Sequence, residues 1–398
     1  MSRFGVLLLV LGWAGVAGCS VVLDFDEVPL PAYEVRGGGA FTCASREPQG
    51  ALWCWGDNHE GQTGTGHLGD SFWVTPPAPV KVLEAVQLFA LGNAHACAVD
   101  QEGALYCWGA NDNMQLGTSP INLLSEPARV GGLVRVSDVS LGDETTCAVA
   151  DGGSLHCFGG NHYFELTDAV QTAQTDTPTQ ILISGGVDRV AAGRHHVCAL
   201  AKNSAVWCWG LAYHGQVGVA AVTGPSCGEG GEFCVSTPTL VDTLDRIVVI
   251  RSGGDHTCAL DDAQGLWCWG RNEFGQVGDG TQNNVFEPVQ IPPVDASGWS
   301  DVAVGGGHTC AIDTDGQLWC WGRNERDQVG TGETDVNFYT QPRSVALPGF
   351  PVDLGLGENH SCAVLNSGRL YCWGENDQHQ LATDHETEPL PTLVARPE

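Results

Sequence analysis

The chain has 398 residues, and 17 Lys and Arg face 47 Asp and Glu, which gives a formal net charge of −30. This charge repels phosphate backbones and excludes an electrostatic nucleic-acid footprint; it also disfavours peripheral docking on anionic lipid. Hydrophobic residues make up 42% of the chain, enough for a packed core and too many for bulk disorder. A chain of this length forms two or three domains unless it is built from repeats.

The N-terminus carries the features of an export signal. A single cation, Arg3, precedes an apolar run that ends in the small residues before Cys19. The run is too short to span a bilayer, and no other segment reaches the length of about 18 apolar residues that a spanning helix needs. Residues 16–19, Val-Ala-Gly-Cys, resemble the lipobox of bacterial lipoproteins, in which the signal is removed before the cysteine and that cysteine is acylated.

The lipobox resemblance implies a signal peptide over residues 1–18, lipidation at Cys19 and a short tether over residues 19–33. Ser20 follows the cysteine, and in that family a residue other than Asp there favours the outer membrane. Several acyl chains anchor a protein stably, whereas a single chain does not. The alternative is an ordinary signal peptide with an incidental cysteine, which still predicts export.

The other cysteines predict an internal repeat. Fourteen of them form seven pairs, six of them 10 positions apart and the first 11 apart, and the second member recurs every 50 to 60 residues. A fixed period near 50 residues is typical of a propeller or a solenoid. An eighth pair, seven positions apart, falls within the longest step and therefore lies in an insertion. The pairs are Cys43 with Cys54, Cys97 with Cys107, Cys147 with Cys157, Cys198 with Cys208, Cys258 with Cys268, Cys310 with Cys320, Cys362 with Cys372 and, in the insertion, Cys227 with Cys234.

Each repeat predicts about four strands. Two short apolar runs flank an Asp/Gly turn, as around residues 261–265, which indicates a β-hairpin. A variable stretch then contains a proline followed by an apolar residue, such as Pro342 and Val345, and a final apolar stretch leads into the next Gly-x-x-His. Four short strands in each repeat are typical of a propeller blade.

The repeated residues resemble a known family. The string Gly-x-x-His-Thr-Cys-Ala-Leu, then Gly-x-Leu-Trp-Cys-Trp-Gly-x-Asn-x-x-Gly-Gln-Val-Gly, is similar to the regulator-of-chromosome-condensation repeat and recurs seven times over residues 35–398. The resemblance implies an all-β, seven-bladed β-propeller over residues 34–398, with blades of about four strands closed into a ring. The repeats run over about 35–85, 86–136, 137–187, 188–246, 247–299, 300–351 and 352–398. We expect the last strand, residues 391–394, to help close the ring on the first blade.

The paired cysteines predict disulfides. Directly opposed residues of a hairpin have Cα atoms about 4.5–5.5 Å apart, which a disulfide tolerates. Because the protein is exported, we expect seven disulfides within blades and an eighth between Cys227 and Cys234. The alternatives are free buried cysteines and zinc, whose structural sites usually take cysteines about two to four residues apart. Asp313-Thr-Asp-Gly begins like a calcium loop, but Asn324 stands where the loop needs a glutamate. We predict no metal and no cofactor.

Two further residue types recur around the cysteines. Tryptophans flank the second cysteine, as Trp267 and Trp269 do, and we expect their rings to fill the space between blades. Histidines precede the first cysteine at His95, His196, His256, His308 and His360. We interpret them as structural rather than as a metal site or a pH switch.

No catalytic motif of the common hydrolase, metalloprotease or phosphate-loop types is present, so we predict that the protein is not an enzyme. The positions that the repeat does not require carry the candidate binding residues. The predicted rim consists of Phe72, Trp73, Phe233, Phe286, Phe338 and Tyr339. These aromatics could equally cap the blade ends, and the Cys227–Cys234 loop is a second candidate.

The predicted function is an envelope-anchored binding module, a protein-interaction scaffold or inhibitor, attached to the membrane only through its lipid. By resemblance, exported bacterial members of the family include inhibitors of β-lactamase-type enzymes. We expect a monomer that binds a protein, or alternatively a glycan, because exposed aromatics suit sugars as well. Guanine-nucleotide exchange, the activity of the nuclear namesake, is a remote alternative since export separates it from any GTPase. Enzymatic activity would require carboxylates that converge at the mouth of the central channel.

Overall fold

The structure is a computed structural model that describes residues 33–46, 50–66, 73–79, 83, 85–118, 122–168, 172–220, 226–228, 232–295, 298–383 and 385–394. The predicted signal peptide, Cys19 and residues 20–32 of the tether lie outside this part of the chain. The described residues form 29 β-strands. No helix long and apolar enough to cross a membrane occurs among them.

The strands form seven separate antiparallel sheets, which are the blades of a β-propeller. Blade 1 holds β1 (Tyr33–Gly37), β2 (Phe41–Arg46), β3 (Ala51–Asp57) and β4 (Trp73–Pro79); blade 2 holds β5 (Val86–Leu91), β6 (His95–Asp100), β7 (Leu105–Ala110) and β8 (Leu123–Arg129); blade 3 holds β9 (Asp138–Leu141), β10 (Thr145–Ala150), β11 (Ser154–Gly160) and β12 (Gln174–Ile181). Blade 4 holds β13 (Val187–Ala192), β14 (His196–Ala201), β15 (Val206–Leu211), β16 (Ser226–Cys227) and β17 (Glu232–Leu240). Blade 5 holds β18 (Ile247–Ser252), β19 (His256–Asp261), β20 (Leu266–Gly270) and β21 (Val285–Ile291); blade 6 holds β22 (Trp299–Val304), β23 (His308–Asp313), β24 (Leu318–Arg323) and β25 (Phe338–Val345); blade 7 holds β26 (Pro351–Leu356), β27 (His360–Leu365), β28 (Leu370–Glu375) and β29 (Thr387–Leu393).

Six blades are simple four-stranded meanders from an inner to an outer strand, and blade 4 adds the short strand β16 outside β17. The predicted all-β seven-bladed fold is confirmed. The inner strands β1, β5, β9, β13, β18, β22 and β26 line a central channel. Strand directions alternate, so the turn after each inner strand and the loop before each outer strand lie at the same end, which we call the loop end. The tight turns between the two middle strands lie at the opposite end, the hairpin end, together with the connectors that lead to the next blade.

The cysteines form eight disulfides, in the pairs that their spacing predicts. In blades 1 to 7 in order, the bonds join Cys43 to Cys54, Cys97 to Cys107, Cys147 to Cys157, Cys198 to Cys208, Cys258 to Cys268, Cys310 to Cys320 and Cys362 to Cys372. In blade 5, Cys258 lies directly opposite Cys268 in the hairpin register, with Cα atoms 4.2 Å apart. The eighth bond, between Cys227 and Cys234, joins the short additional strand β16 to β17. The insertion therefore adds a fifth strand at the edge of blade 4.

The second tryptophan of each pair fills the space between blades, as the alternation predicts. Trp269 is fully buried, and its indole N–H donates a hydrogen bond of 3.0 Å to the backbone carbonyl of Gln216 in the preceding blade. The same bond recurs for Trp55, Trp108, Trp209, Trp321 and Trp373. Trp267 lies further out and donates to Asp261 of its own hairpin. The repeated Trp and Gln therefore connect neighbouring blades.

The ring closes by side-chain packing and not by strand exchange. The last strand, β29, pairs with β28 of its own blade and does not exchange into the first blade. Val394, just after β29, instead belongs to the apolar cluster that holds Val35 and Trp55 of blade 1. All four strands of each blade come from one contiguous repeat, so no terminal strand is needed to complete a sheet.

Glycines at the loop end let the blades approach closely around the channel. Backbone N–H groups of these turns donate to carbonyls of the next blade in six neighbouring pairs, namely Gly39 to Gly92, Asp143 to Arg194, Arg194 to Gly253, Gly254 to Gly305, Gly306 to Gly357 and Glu358 to Gly38. We call this ring of backbone bonds the collar. It fixes the positions of the turns that surround the channel mouth.

We expect Gly254→Ala to destabilise the protein by about 1–3 kcal/mol, because overpacking displaces neighbouring backbone. A Cβ atom at Gly254 would lie 2.2 Å from the carbonyl oxygen of Gly306. Gly131→Ala is the matched control, since a Cβ there meets no atom within 4 Å. Urea unfolding of both variants checks this, and equal midpoints would contradict a tight collar.

Candidate binding face

The loop end is built by repeated polar side chains that fold each loop onto itself. In blade 5, the Asn272 side-chain oxygen accepts from the backbone N–H of Val277 at 2.9 Å, and the Gln276 side-chain oxygen accepts from that of Phe274 at 3.0 Å. Most blades repeat both bonds, as in the Asn324 and Gln328 loop of blade 6. The motif residues point inward, and the two residues between Asn and Gly are free to vary.

Buried histidines lie beneath the loops of the loop end and connect neighbouring blades. His256 is fully buried, and its Nε2 lies 2.8 Å from the Thr309 hydroxyl of blade 6, which donates to the Gln276 carbonyl at 2.8 Å. Because that hydroxyl is the donor to Gln276, Nε2 of His256 carries a proton and donates to the hydroxyl oxygen. Burial lowers the pKa of His256 to about 3, so the ring is neutral at pH 7. The other four histidines make the same interblade contact to Thr or Ser.

Arg194 dominates the channel mouth. Its guanidinium lies 3.3 Å from a carboxylate oxygen of Asp143, 3.6 Å from Asp255 and 2.9 Å from Glu358, which extends from blade 7 on the other side of the channel. Burial raises the pKa of Asp143 to about 6 despite the nearby arginine. Burial also acts to raise the pKa of Asp255, but Arg194 and other cations outweigh it and hold that pKa below its usual value.

The carboxylates that an enzymatic function would require do converge at this mouth, but all three are paired with Arg194. A single guanidinium thus holds three carboxylates together at the mouth. Sequence reasoning did not single out Arg194. One feature of the sequence could have identified Arg194. It is a cation in an acidic chain, and it stands at a turn position that Gly, Asn, Asp or Glu occupies in the other repeats.

Replacing Arg194 with alanine is expected to lower stability by about 1–3 kcal/mol at pH 7, because three carboxylates would remain close together without their cation. Protonation relieves that repulsion, so the loss should shrink at pH 5. Thermal unfolding at both pH values tests this, and Arg135→Ala, at an exposed pair with Asp151, is the control. A loss that is the same at both pH values would argue against charge repulsion as its cause.

Aromatic side chains cluster on one side of this end. Tyr213 and Phe286 are 54% and 43% exposed, and the loops that carry them are joined by a hydrogen bond of 3.1 Å between His214 and Asn284. Phe233, within the loop that the Cys227–Cys234 disulfide closes, is 56% exposed. Tyr163 stacks on His195 with ring centroids 4.4 Å apart. We call Tyr163, Tyr213, Phe233, Phe274 and Phe286 the aromatic sector; it spans blades 3 to 5.

Acidic residues occupy the same loop position in four blades. Asp112, Glu273, Glu325 and Asp377 are exposed at this position in blades 2, 5, 6 and 7. We call Asp112, Glu325 and Asp377, which lie outside the aromatic sector, the acidic arc. Arg323 also lies at this end, with its guanidinium 5.1 Å from the centre of the Phe274 ring. The loop end is therefore asymmetric, with an aromatic sector on one side and an acidic arc on the other.

A buried charge lies beneath the aromatic sector. Glu165 replaces the motif Gln in blade 3 and lies 3.5 Å from Nδ1 of His195. Burial alone would lower the pKa of His195, but the carboxylate of Glu165 outweighs it and raises that pKa above its usual value. The most divergent repeat thus places a buried Glu–His contact next to Tyr163, whose ring stacks on His195.

Only some of the rim residues predicted from the sequence are exposed at the loop end. Phe233, Phe286 and Phe338 are exposed at the loop end of the outer strands of blades 4, 5 and 6. The prediction that Tyr339 belongs to an exposed rim is wrong. Its side chain is 6% exposed, and its hydroxyl donates to Glu333 at 2.7 Å. It points away from Phe338 because strand side chains alternate. Phe72 lies outside the described residues, as does the side chain of Trp73.

The channel itself is polar. It encloses a cavity of about 320 Å³ lined by charged residues of the inner strands, including Arg36, Arg251, Asp301 and Asp353. Arg36 bonds to Asp353 at 2.9 Å, which links blade 1 to blade 7. Within the described part of the chain, no three His, Cys, Asp or Glu side chains are grouped so that they could hold a metal ion.

The fold and its repeated Trp, His, Asn and Gln contacts define a class of seven-bladed propellers with a loop end built by one recurring motif. Residues 77–398 match the RCC1-like domain, and residues 34–62 and 49–99 match the regulator of chromosome condensation (RCC1) repeat. The chain belongs to the RCC1-like domain family.

Several curated proteins are similar in sequence. Probable E3 ubiquitin-protein ligase HERC4 of Homo sapiens is 32% identical over 340 residues, which cover 83% of this chain and 31% of that protein. Protein pim1 of Schizosaccharomyces pombe is 27% identical over 343 residues, 77% of this chain and 62% of that one. The Ultraviolet-B receptor UVR8 of Arabidopsis thaliana is 31% identical over 220 residues, 54% and 46% of the two chains. The chain thus spans less than two thirds of the length of these relatives.

Solved structures share the fold. Prp20p of Saccharomyces cerevisiae superimposes with a TM-score of 0.77 at 22% identity, covering 88% of this chain and 87% of that one. Human WBSCR16 gives a TM-score of 0.75 at 20% identity, covering 87% and 94%. At these identities the likeness establishes the propeller architecture alone.

Proposed function

We propose that the protein is an exported, lipid-anchored RCC1-like propeller that binds a partner protein through its loop end and performs no catalysis of its own. On this proposal, residues 1–18 are removed, Cys19 is acylated and residues 34–398 form the binding domain. The envelope location, with the outer membrane favoured, follows from the lipobox resemblance. The eight disulfides support export, because such bonds persist in oxidising compartments.

One observation carries the binding function: the aromatic sector is exposed beside an acidic arc on one end of a rigid ring. Tyr213, Phe233 and Phe286 present large apolar surface at little entropic cost, as residues of binding hot spots do. The acidic arc favours a partner with cations around an apolar centre. The solved relative Prp20p is described as binding Gsp1p and histones, so this fold is used elsewhere to recognise proteins.

The rest of the predicted rim remains part of the proposal. Phe338 extends the aromatic surface into blade 6, and Phe72 and Trp73 stay candidate binding residues. The insertion closed by Cys227–Cys234 borders the aromatic sector, since Gly228 of the insertion packs against the ring of Tyr163. A partner that covers blades 3 to 6 would contact both candidate features that the sequence suggested.

The test is capture followed by reconstitution. Residues 20–398 would be crosslinked to envelope extract, and the captured protein would be purified and titrated against the propeller. The triple variant Tyr213→Ser, Phe233→Ser, Phe286→Ser should weaken binding at least about tenfold, because hot-spot truncations of this kind cost more than 1 kcal/mol each.

The matched control replaces three exposed apolar residues at the opposite end, in Val134→Ser, Leu182→Ser and Phe350→Ser. Equal losses in both triple variants would contradict a binding site at the loop end. Absence of any captured protein, together with glycan binding that the first triple variant abolishes, would replace the protein partner with a carbohydrate.

A further inference from the structure

The chain enters the propeller at the hairpin end. Tyr33, the first described residue, begins β1 and pairs with Arg46, the last residue of β2. Arg46 pairs in turn with Ala51 across the tight turn of blade 1. Whatever precedes Tyr33 therefore leaves the body beside the hairpin turns and away from the loop end.

The hairpin end exposes large apolar side chains. The connectors between blades cross this end, and four of them carry an exposed apolar residue. These are Val134 at 49%, Leu182 at 81%, Val294 at 48% and Phe350 at 60% exposed, which we call the apolar ring. They are distributed around the end, on the connectors that follow blades 2, 3, 5 and 6.

Further apolar residues lie within this ring. Val248 and Val352, each about half exposed, stand near the start of the inner strands β18 and β26, around the channel opening at the hairpin end. Cations lie among the same turns and connectors. Arg135, Lys202 and Arg246 are placed there, and Arg369 is exposed in the last hairpin. Exposed carboxylates lie there as well, and Arg135 pairs with Asp151 and Arg246 with Asp262. The charges of this end are therefore partly neutralised within the protein, and its exposed apolar side chains are the part that suits contact with acyl chains.

We propose that the hairpin end is the membrane-facing surface of the anchored protein. The apolar ring contacts the bilayer that holds the acyl chains of Cys19, and the aromatic sector faces away from the membrane toward its partner. This inference rests on the lipid anchor of the proposed function. It deepens that function because it states which end is free to bind.

The length of the tether supports this orientation. Residues 20–32 are thirteen residues. A segment of this length spans at most about 45 Å, and about 20 Å as a flexible chain. The body is therefore held close to the bilayer at the end from which the chain leaves.

The net charge of −30 removes electrostatic docking as the orienting force. Once the acyl chains hold the body near the surface, apolar contact is left to select one end. Side chains of such a surface insert about 5–10 Å into the boundary region.

The test uses full-length acylated protein in vesicles of phosphatidylethanolamine with a minor fraction of phosphatidylglycerol. The photo-crosslinking residue p-benzoylphenylalanine would replace Leu182 or Phe350 at the hairpin end, and Tyr213 or Phe338 at the loop end as matched controls. After irradiation, mass spectrometry would quantify crosslinks to acyl chains. The expected result is a several-fold higher lipid yield at Leu182 and Phe350 than at the two controls.

Three outcomes overturn the inference in distinguishable ways. Equal or greater lipid crosslinking at Tyr213 and Phe338 would show that the opposite end faces the membrane. Crosslinks from Leu182 or Phe350 to a second copy of the chain would assign the apolar ring to a dimer. The intact mass of the mature protein reports acylation separately, and an unmodified Cys19 would refute the anchor itself and with it the proposed location.

Discussion

Trp209→Ala is expected to lower the free energy of unfolding by about 3–5 kcal/mol, the range for truncating a large buried aromatic side chain. The Trp209 ring is fully buried between blades 3 and 4, and its indole N–H donates to the Glu165 carbonyl at 2.8 Å. The substitution leaves a cavity between two sheets that share no strand, and it leaves that carbonyl without its donor. Urea unfolding of the oxidised protein, followed by far-ultraviolet circular dichroism, measures the loss.

The neighbouring Trp207→Ala is the matched control. Trp207 is half-buried, and its indole N–H has no hydrogen-bond partner among the described residues. Its replacement should cost clearly less than that of Trp209. If both variants lost the same stability, the interface between blades would not be the principal role of the repeated second tryptophan.

Acidification from pH 7 to pH 4 is expected to destabilise the propeller. Burial lowers the pKa of His95, His256 and His308 from 6.5 to about 3. It lowers the pKa of His196 and His360 to about 4. Below pH 6.5 the unfolded chain binds protons that the folded chain rejects, so the stabilisation present above pH 6.5 is lost progressively as the pH falls toward 3 to 4.

Several carboxyls act in the opposite direction. Burial raises the pKa of Asp138 and Asp143 from 3.8 to about 6, so the folded protein gains relative stability as these groups take up protons below pH 6. Burial also raises the pKa of Asp301 and of Asp327. Each pKa unit corresponds to about 1.4 kcal/mol. The five histidines have the larger displacements, so we expect the net effect to be destabilisation.

A single variant tests the contribution of the buried histidines to this loss of stability. His308→Gln keeps a polar side chain near Ser361 but cannot be protonated in this range, so stability should fall less steeply with acid than in the parent. Thr145→Ser changes the equivalent position of blade 3, which carries no titratable group, and should leave the slope unchanged. The slope of urea midpoint against pH between 7 and 4 is the measurement. An unaltered slope in His308→Gln would refute the role assigned to the buried histidines.

The period of the sequence was sufficient to predict the blades and their disulfides because each blade is a local meander. Cys258 and Cys268 are opposed through a turn of a few residues, so their pairing depends on nothing distant in the chain. The identity of the rim residues depends on side-chain direction in an irregular segment. That is why Phe338 is exposed while Tyr339, one position later, bonds to Glu333.

The sequence by itself determined the all-β repeat, the number of blades, the cysteine pairs and the absence of familiar catalytic motifs. Its repeated Trp, His, Asn and Gln encode contacts that recur in most blades, and a period makes such contacts visible. Only the tertiary structure decided which residues meet where the repeats differ. Arg194 and Glu358 are 164 positions apart and meet because the ring brings blades 4 and 7 to one channel mouth. Three other features also depend on how the blades are arranged around the channel axis: closure by packing at Val394, the aromatic sector and the direction of chain entry. The sequence of a single repeat carries no information about that arrangement.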